Sequence, residues 1–153
     1  MQPFSPNNAV GFCVSGGCSV TTDPGTGATS GDLETSTATV APGDGGVVSL
    51  LQEEGDSSDC PGYTCFALRI LIPSPAAAPM DPLTFVFTID ASLVPPGKEL
   101  RQVRTFHDGV LVPLCFGTSG VADPDPCVLE KIFLPDGDLR VTVLSSQNGK
   151  WRN

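Results

Sequence analysis

Thr64-Cys65-Phe66-Ala67-Leu68-Arg69-Ile70-Leu71-Ile72, then Pro73-Ser74-Pro75-Ala76-Ala77-Ala78-Pro79-Met80-Asp81-Pro82, then Leu83-Thr84-Phe85-Val86-Phe87-Thr88-Ile89: this run decides the fold. In its first part Phe66, Leu68, Ile70 and Ile72 alternate with Cys65, Ala67, Arg69 and Leu71. In its last part Leu83, Phe85, Phe87 and Ile89 alternate with Thr84, Val86 and Thr88. A period of two puts each set on one face of a pleated strand. The middle part holds four prolines in ten residues, which rules out a helix or a central strand, because proline lacks the backbone N–H both need. Two strands joined by a proline-rich connection are therefore expected.

The same reading extends outward in both directions. After Ile89, Val94-Pro95-Pro96-Gly97 reads as a turn. Leu100–His107 and Val110–Leu114 flank Asp108-Gly109, a pair suited to a hairpin whose two turn positions need positive φ. Val128–Leu134 and Leu139–Leu144 flank Pro135-Asp136-Gly137-Asp138, with Leu139, Val141 and Val143 on one face and Arg140 and Thr142 on the other. Toward the N-terminus, the threonine-rich Leu33–Val40 and Gly46–Gln52 read as strands. Gly11–Val14 and Ser19–Thr22 are expected to form a small hairpin. Asp23–Ser30 and Gln52–Asp59 read as exposed loops. About eight strands at roughly ten-residue spacing, without helical periodicity, predict one all-β domain over residues 1–153: an antiparallel β-sandwich, Ig-like in general form.

Six cysteines fall into three close pairs: Cys13 and Cys18, Cys60 and Cys65, Cys115 and Cys127. An even count in tight pairs, with no histidine nearby to complete a zinc site, reads as three local disulfides. On the chain-entropy estimate the two short loops contribute about 2 kcal/mol each and the 115–127 loop about 3 kcal/mol. Cysteines held in staples are not nucleophiles, and disulfides persist in oxidising surroundings, so an extracellular location, secreted or on a cell surface, is expected. Met1–Asn8 carries neither a basic nor an apolar leader region, which reads as a mature segment or an excised domain behind a start methionine.

The formal net charge of −9 argues against nucleic acid, which needs clustered Lys and Arg, and against anionic membrane surfaces. No apolar run is long enough to span a bilayer. The single histidine, His107, sits at the lip of the Asp108-Gly109 turn and no Gly-x-Ser-x-Gly elbow is present. The histidine is therefore read as a solvated turn residue and no catalytic residue is assigned, so the chain is expected not to be an enzyme. Asp123, Asp125, Asp136 and Asp138 are paired in loops and are the only candidates for a metal, as Ca²⁺ ligands. The plainer account of them is solvated turn acids, and no cofactor is expected. Carbohydrate binding needs displayed aromatics, and Tyr63, inside the Cys60–Cys65 loop, and Trp151 are the candidates, although Trp151 also suits a plug at the bottom of the sandwich. A lysine–asparagine crosslink would need a buried lysine, and of Lys98, Lys131 and Lys150 only Lys131 lies in an expected strand.

Phe87-Thr-Ile-Asp-Ala-Ser-Leu-Val-Pro-Pro-Gly97 followed by Phe106-His-Asp-Gly-Val-Leu-Val-Pro-Leu-Cys115 carries a further signal. So does Gly120-Val-Ala-Asp-Pro-Asp-Pro-Cys-Val128 followed by Asp136-Gly-Asp-Leu-Arg-Val-Thr-Val-Leu-Ser-Ser146. Together with Cys18-Ser-Val-Thr-Thr-Asp-Pro24, Gly27-Ala-Thr29 and Leu33-Glu-Thr35, they resemble a β-sandwich module recurring in bacterial, especially actinobacterial, secreted multidomain proteins. The resemblance implies compartment and architecture, with no activity attached. It also implies that Cys115/Cys127 is the module's own bridge and that the other two pairs are additions. The module usually closes Trp-x-Phe, whereas this chain reads Trp151-Arg152-Asn153. The expected function is a structural and interaction module working through edge strands and loops, with self-association through the threonine-rich Leu33–Val40 strand as its sharpest form. A polysaccharide-binding module assisted by Ca²⁺ is the alternative.

Overall fold

The computed structural model describes residues 8–13, 19–22, 28–29, 33–39, 46–53, 57–63, 65, 69–72, 82–117, 121–146 and 149–153. Eleven strands are formed among them: β1 (Asn8–Cys13), β2 (Ser19–Thr21), β3 (Glu34–Thr39), β4 (Gly46–Glu53), β5 (Arg69–Ile72), β6 (Leu83–Ile89), β7 (Phe106–His107), β8 (Val110–Leu111), β9 (Cys127–Phe133), β10 (Leu139–Ser145) and β11 (Gly149–Arg152). They form two sheets, one ordered β1-β4-β5-β11-β7-β8 and the other β2-β3-β6-β10-β9. Every paired strand is antiparallel to its neighbour. The result is the antiparallel sandwich, with more and shorter strands than the pattern suggested.

The alternating residues of β6 and β10 make the core of the five-stranded sheet. Leu83, Phe85, Phe87 and Ile89 are fully buried, as are Leu139, Val141 and Val143 across the pair. The six-stranded sheet answers them with Leu50 and, above all, Trp151. The Trp151 ring meets Phe85 edge-on at 5.3 Å between centroids and Phe87 at 6.4 Å. Aromatic pairs in this range add about 0.5–1.5 kcal/mol to the area they bury, so the two sheets are clamped at this point. Trp151 is core, and its ring is not available as a surface platform for a sugar.

Two of the three expected hairpins form. In β7–β8 the turn residues Asp108 and Gly109 have φ of 49° and 80°, the left-handed pair the Asp-Gly sequence called for. The β9–β10 hairpin closes where Leu134 N–H donates to the Asp138 carbonyl at 2.7 Å. Its register shifts between Thr142 and Val143, a bulge on edge strand β9. The turn at Pro95-Pro96-Gly97 also forms, with Gly97 at φ 76° and Lys98 N–H donating to the Pro95 carbonyl.

Three expectations fail, and a fourth is met only in part among the described residues. β1 and β2 do not form a hairpin with each other: β1 pairs β4 in one sheet and β2 pairs β3 in the other. The threonine-rich strand β3 is internal, flanked by β2 and β6, so it cannot serve as an open edge. Its outward threonines bond across the β2–β3 pair instead, Thr37 to Thr21 at 2.8 Å and Thr39 with Ser19 at 2.7 Å. Leu100–Gln102 is a 3₁₀ turn rather than the start of a strand, because the Gln102 side chain accepts from Glu99 N–H and Val103 N–H bonds back to the Leu100 carbonyl. Finally, of Thr64–Ile72 only Arg69–Ile72 is β5; Cys65 precedes it outside a strand, and Thr64 and residues 66–68 lie outside the described residues.

Candidate interaction surfaces

Two disulfides are present, Cys60–Cys65 and Cys115–Cys127. Cys18 and the side chain of Cys13 lie outside the described residues. The two bridges build two different surfaces.

The first covers the outer face of the six-stranded sheet. Because Trp151 points inward from β11, its neighbours Lys150 and Arg152 point outward. Asp59, in the 3₁₀ turn Ser57–Asp59, lies over them with its side chain only 1 % exposed, 2.9 Å from Arg152 and 3.5 Å from Lys150. Cys60–Cys65 closes the loop that follows. Tyr63 in that loop packs at a tilt of 51° against Phe106 of β7, with ring centroids 5.6 Å apart, and the Arg104 guanidinium lies over the Tyr63 ring at 5.9 Å. Tyr63 remains 52 % exposed, in a loop closed by the disulfide and in cation–π contact with Arg104.

The second surface runs along one side of the sandwich, where the edge strands β8 and β9 of the two sheets are joined by residues 112–116. Leu114 makes a parallel bridge to Val128, with Cys115 N–H donating to the Val128 carbonyl at 2.9 Å and Val128 N–H to the Pro113 carbonyl at 2.7 Å. Cys115–Cys127 locks this junction, and Ala122, Cys127 and Leu144 make a small separate core under it. Apolar side chains stand out from the locked frame: Val110 at 68 % exposure, Phe116 at 78 %, and Leu111, Leu114 and Leu129 beside them in the sequence order of the two edges. Loss of the bridge by Cys115→Ser with Cys127→Ser is expected to cost about 3 kcal/mol. Urea unfolding of the oxidised parent and the double variant checks this, and a loss below a third of that would mean the frame is held by its hydrogen bonds alone.

Three of the four candidate calcium acids accept hydrogen bonds within the fold. Asp125 accepts from the Ser146 backbone N–H at 2.9 Å and from the Ser146 hydroxyl. Asp136 accepts from Asp138 N–H at 3.0 Å, and Asp138, itself buried, accepts from Ala91 N–H at 2.9 Å. Asp123 is exposed and lies so close to Gly117 that a Cβ there would sit 2.6 Å from it. Both Asp-Pro bonds in this loop, Asp123–Pro124 and Asp125–Pro126, are cis. No group of three or more His, Cys, Asp or Glu that could hold a metal ion occurs among the described residues.

Burial pushes the Asp138 carboxyl above its ordinary 3.8, and the Asp136 and Asp90 carboxylates push it the same way, against the Ala91 hydrogen bond. A raised folded value favours the protonated fold. The stability it contributes is therefore present below 3.8 and lost as pH rises through the folded value. Asp138→Asn keeps the acceptor for Ala91 and removes the charge, so the variant should gain on the parent between pH 3 and pH 7. Denaturant unfolding at both pH values measures this, and a gap that does not change with pH would refute it.

His107 is buried rather than solvated. Its ring lies 4.3 Å from Trp151 between centroids and its Nε2 is 3.4 Å from an Asp108 carboxylate oxygen. The hairpin turn folds it under Gly149, where a Cβ would stand 2.6 Å from Nε2 and where φ is +135°, so this position requires glycine. Nothing in the local sequence could have signalled this, because β11, the strand beside it, comes from residues 149–152. No helix among the described residues is long and apolar enough to cross a membrane. Comparison with models of known protein families, with curated proteins and with solved structures returned no match.

Proposed function

We propose that this chain is a secreted or cell-surface structural and interaction module of bacterial type, without catalytic activity. The observation that carries the reading is the exposure of five large apolar side chains, Val110, Leu111, Leu114, Phe116 and Leu129, on the strands and segment that the Cys115–Cys127 bridge joins. Large apolar side chains left exposed on one side of a fold cost solvation unless a partner covers them. Formed disulfides support an oxidising compartment, and the resemblance in sequence supports the bacterial secreted setting. Self-association through this side is favoured over strand addition at β9. That edge is blunted by its bulge and by Lys131, which stands opposite the inward residue Val141, and both are devices that discourage edge pairing.

Sedimentation velocity from micromolar to millimolar protein tests the reading. Reversible association that Phe116→Ser abolishes, with the melting temperature unchanged, is the expected result. A monomer at every concentration, in parent and variant alike, removes the self-association form.

The Ca²⁺-assisted polysaccharide reading rests on the braced, half-exposed Tyr63 beside Arg104. Glycan binding lost in Tyr63→Ala, or a calcium-dependent rise in melting temperature, would favour it over the structural module.

A further inference from the structure

In a chain with 17 acidic and 8 basic residues, three cations meet at one groove. It has a volume of about 360 Å³ and lies between the 3₁₀ turn Leu100–Gln102, the locked segment 111–114 and strand β9. Arg101, Arg104 and Lys131 are its charged side chains, and Val103, Val112 and Val128 form its apolar floor, with the exposed Leu111 and Leu114 at the rim.

The charge in the groove is not neutralised from within. Arg101 pairs with Glu99 at 2.5 Å, but neither Arg104 nor Lys131 has an ion-pair partner among the described residues. Lys131 Nζ donates to the Val103 carbonyl at 3.1 Å, and Arg104 donates to the carbonyls of Arg101 and Val103. Both are half-buried, and burial together with the adjacent Arg104 charge lowers the Lys131 pKa from 10.5. Two neighbouring half-buried cations without a carboxylate between them repel each other and lose hydration. An anion entering the groove would relieve that cost.

The lining selects the kind of anion. The floor and rim are aliphatic; Tyr63, against whose ring Arg104 lies at 5.9 Å, is not part of the lining. An extended peptide offers both features at once, carboxylates on one side and apolar side chains on the other. We propose that this groove is the docking site for an acidic, apolar peptide segment of a partner protein, its carboxylates bound by Arg104 and Lys131 and its aliphatic side chains resting on Leu111 and Leu114. This deepens the interaction-module reading and rests on it.

The test uses a short synthetic peptide alternating Glu and Leu, its counterpart with Gln for Glu, and an oligogalacturonate as the anionic sugar. Each is titrated into the oxidised protein by fluorescence polarisation and by NMR shift mapping on the unmodified chain. The Glu peptide is expected to bind, to weaken about tenfold in Lys131→Met or Arg104→Gln and with added salt, and to shift the amides of Arg104, Leu111, Leu114 and Lys131. Mapping on the parent keeps the test sound if either variant folds poorly. No binding of the Glu peptide, equal binding of the Gln peptide, shifts lying elsewhere, or preference for the sugar would each overturn the proposal. Association through Phe116 is measured separately, so the groove can fail while the module reading stands.

Discussion

Replacing Trp151 with alanine is expected to lower the unfolding free energy by about 3–5 kcal/mol, a large part of the ~5–15 kcal/mol that holds a typical domain together. The ring is fully buried and touches Phe85, Phe87 and His107, so it belongs to both sheets at once. The void left behind would be lined by rigid strand residues of β6, which cannot collapse into it without leaving their register. Far-UV circular dichroism in urea measures the loss, since the only tryptophan is then gone. Trp151→Phe should lose far less, because the indole Nε1 has no hydrogen-bond partner to forfeit. A loss under ~1.5 kcal/mol for the alanine variant would mean that the sheets are not joined through this ring, against the cost usual for deleting a buried aromatic.

Asp59→Ala is expected to cost about 3 kcal/mol, at the low end of what removing one partner of a buried ion pair costs. The carboxylate is buried under its loop, while Arg152 is mostly covered and Lys150 partly in water, so the cations left behind recover some hydration. The consequence reaches beyond stability. Asp59 adjoins Cys60, and through the disulfide-closed loop it sets where Tyr63 is displayed over Phe106. Hydrogen exchange should therefore quicken across residues 57–63 in the variant while β6 and β10 stay protected. A double-mutant cycle with Arg152→Gln separates the pair from the rest. A coupling near zero would show that the loop is held by its disulfide and the Tyr63 packing alone.

Much of the architecture was readable from residue pattern. The alternation in Leu83–Ile89 and Leu139–Leu144 marked the inner faces that the structure buries, and Asp108-Gly109 marked a turn with two left-handed residues. The expected Cys60–Cys65 and Cys115–Cys127 bridges are both formed, and Tyr63 inside the first is half-exposed. The acids at 123, 125, 136 and 138 could not be told apart from ligands, because a carboxylate that caps a turn and one that binds a metal share the same short spacing. The structure shows Asp125 bonded to Ser146 and Asp138 to Ala91. No local pattern marks the groove at Arg101, Arg104 and Lys131, since its cations come from a 3₁₀ turn, a connecting segment and an edge strand.

A period of two fixes which face a side chain takes, so the sequence by itself determined the all-β class, the inward residues of β6 and β10, and the local Cys60–Cys65 and Cys115–Cys127 staples. Which strand lies beside which is decided by packing between distant segments, and that only the tertiary structure supplied. It placed β3 inside its sheet, split β1 from β2, and set the short β11 between β5 and β7. With β11 in that place His107 was buried, Trp151 became the clamp between the sheets, and Arg152 was brought under Asp59. The physical reason is that strand pairing satisfies the same backbone groups whichever neighbour provides the partner, and only the fit of the two buried faces selects one arrangement.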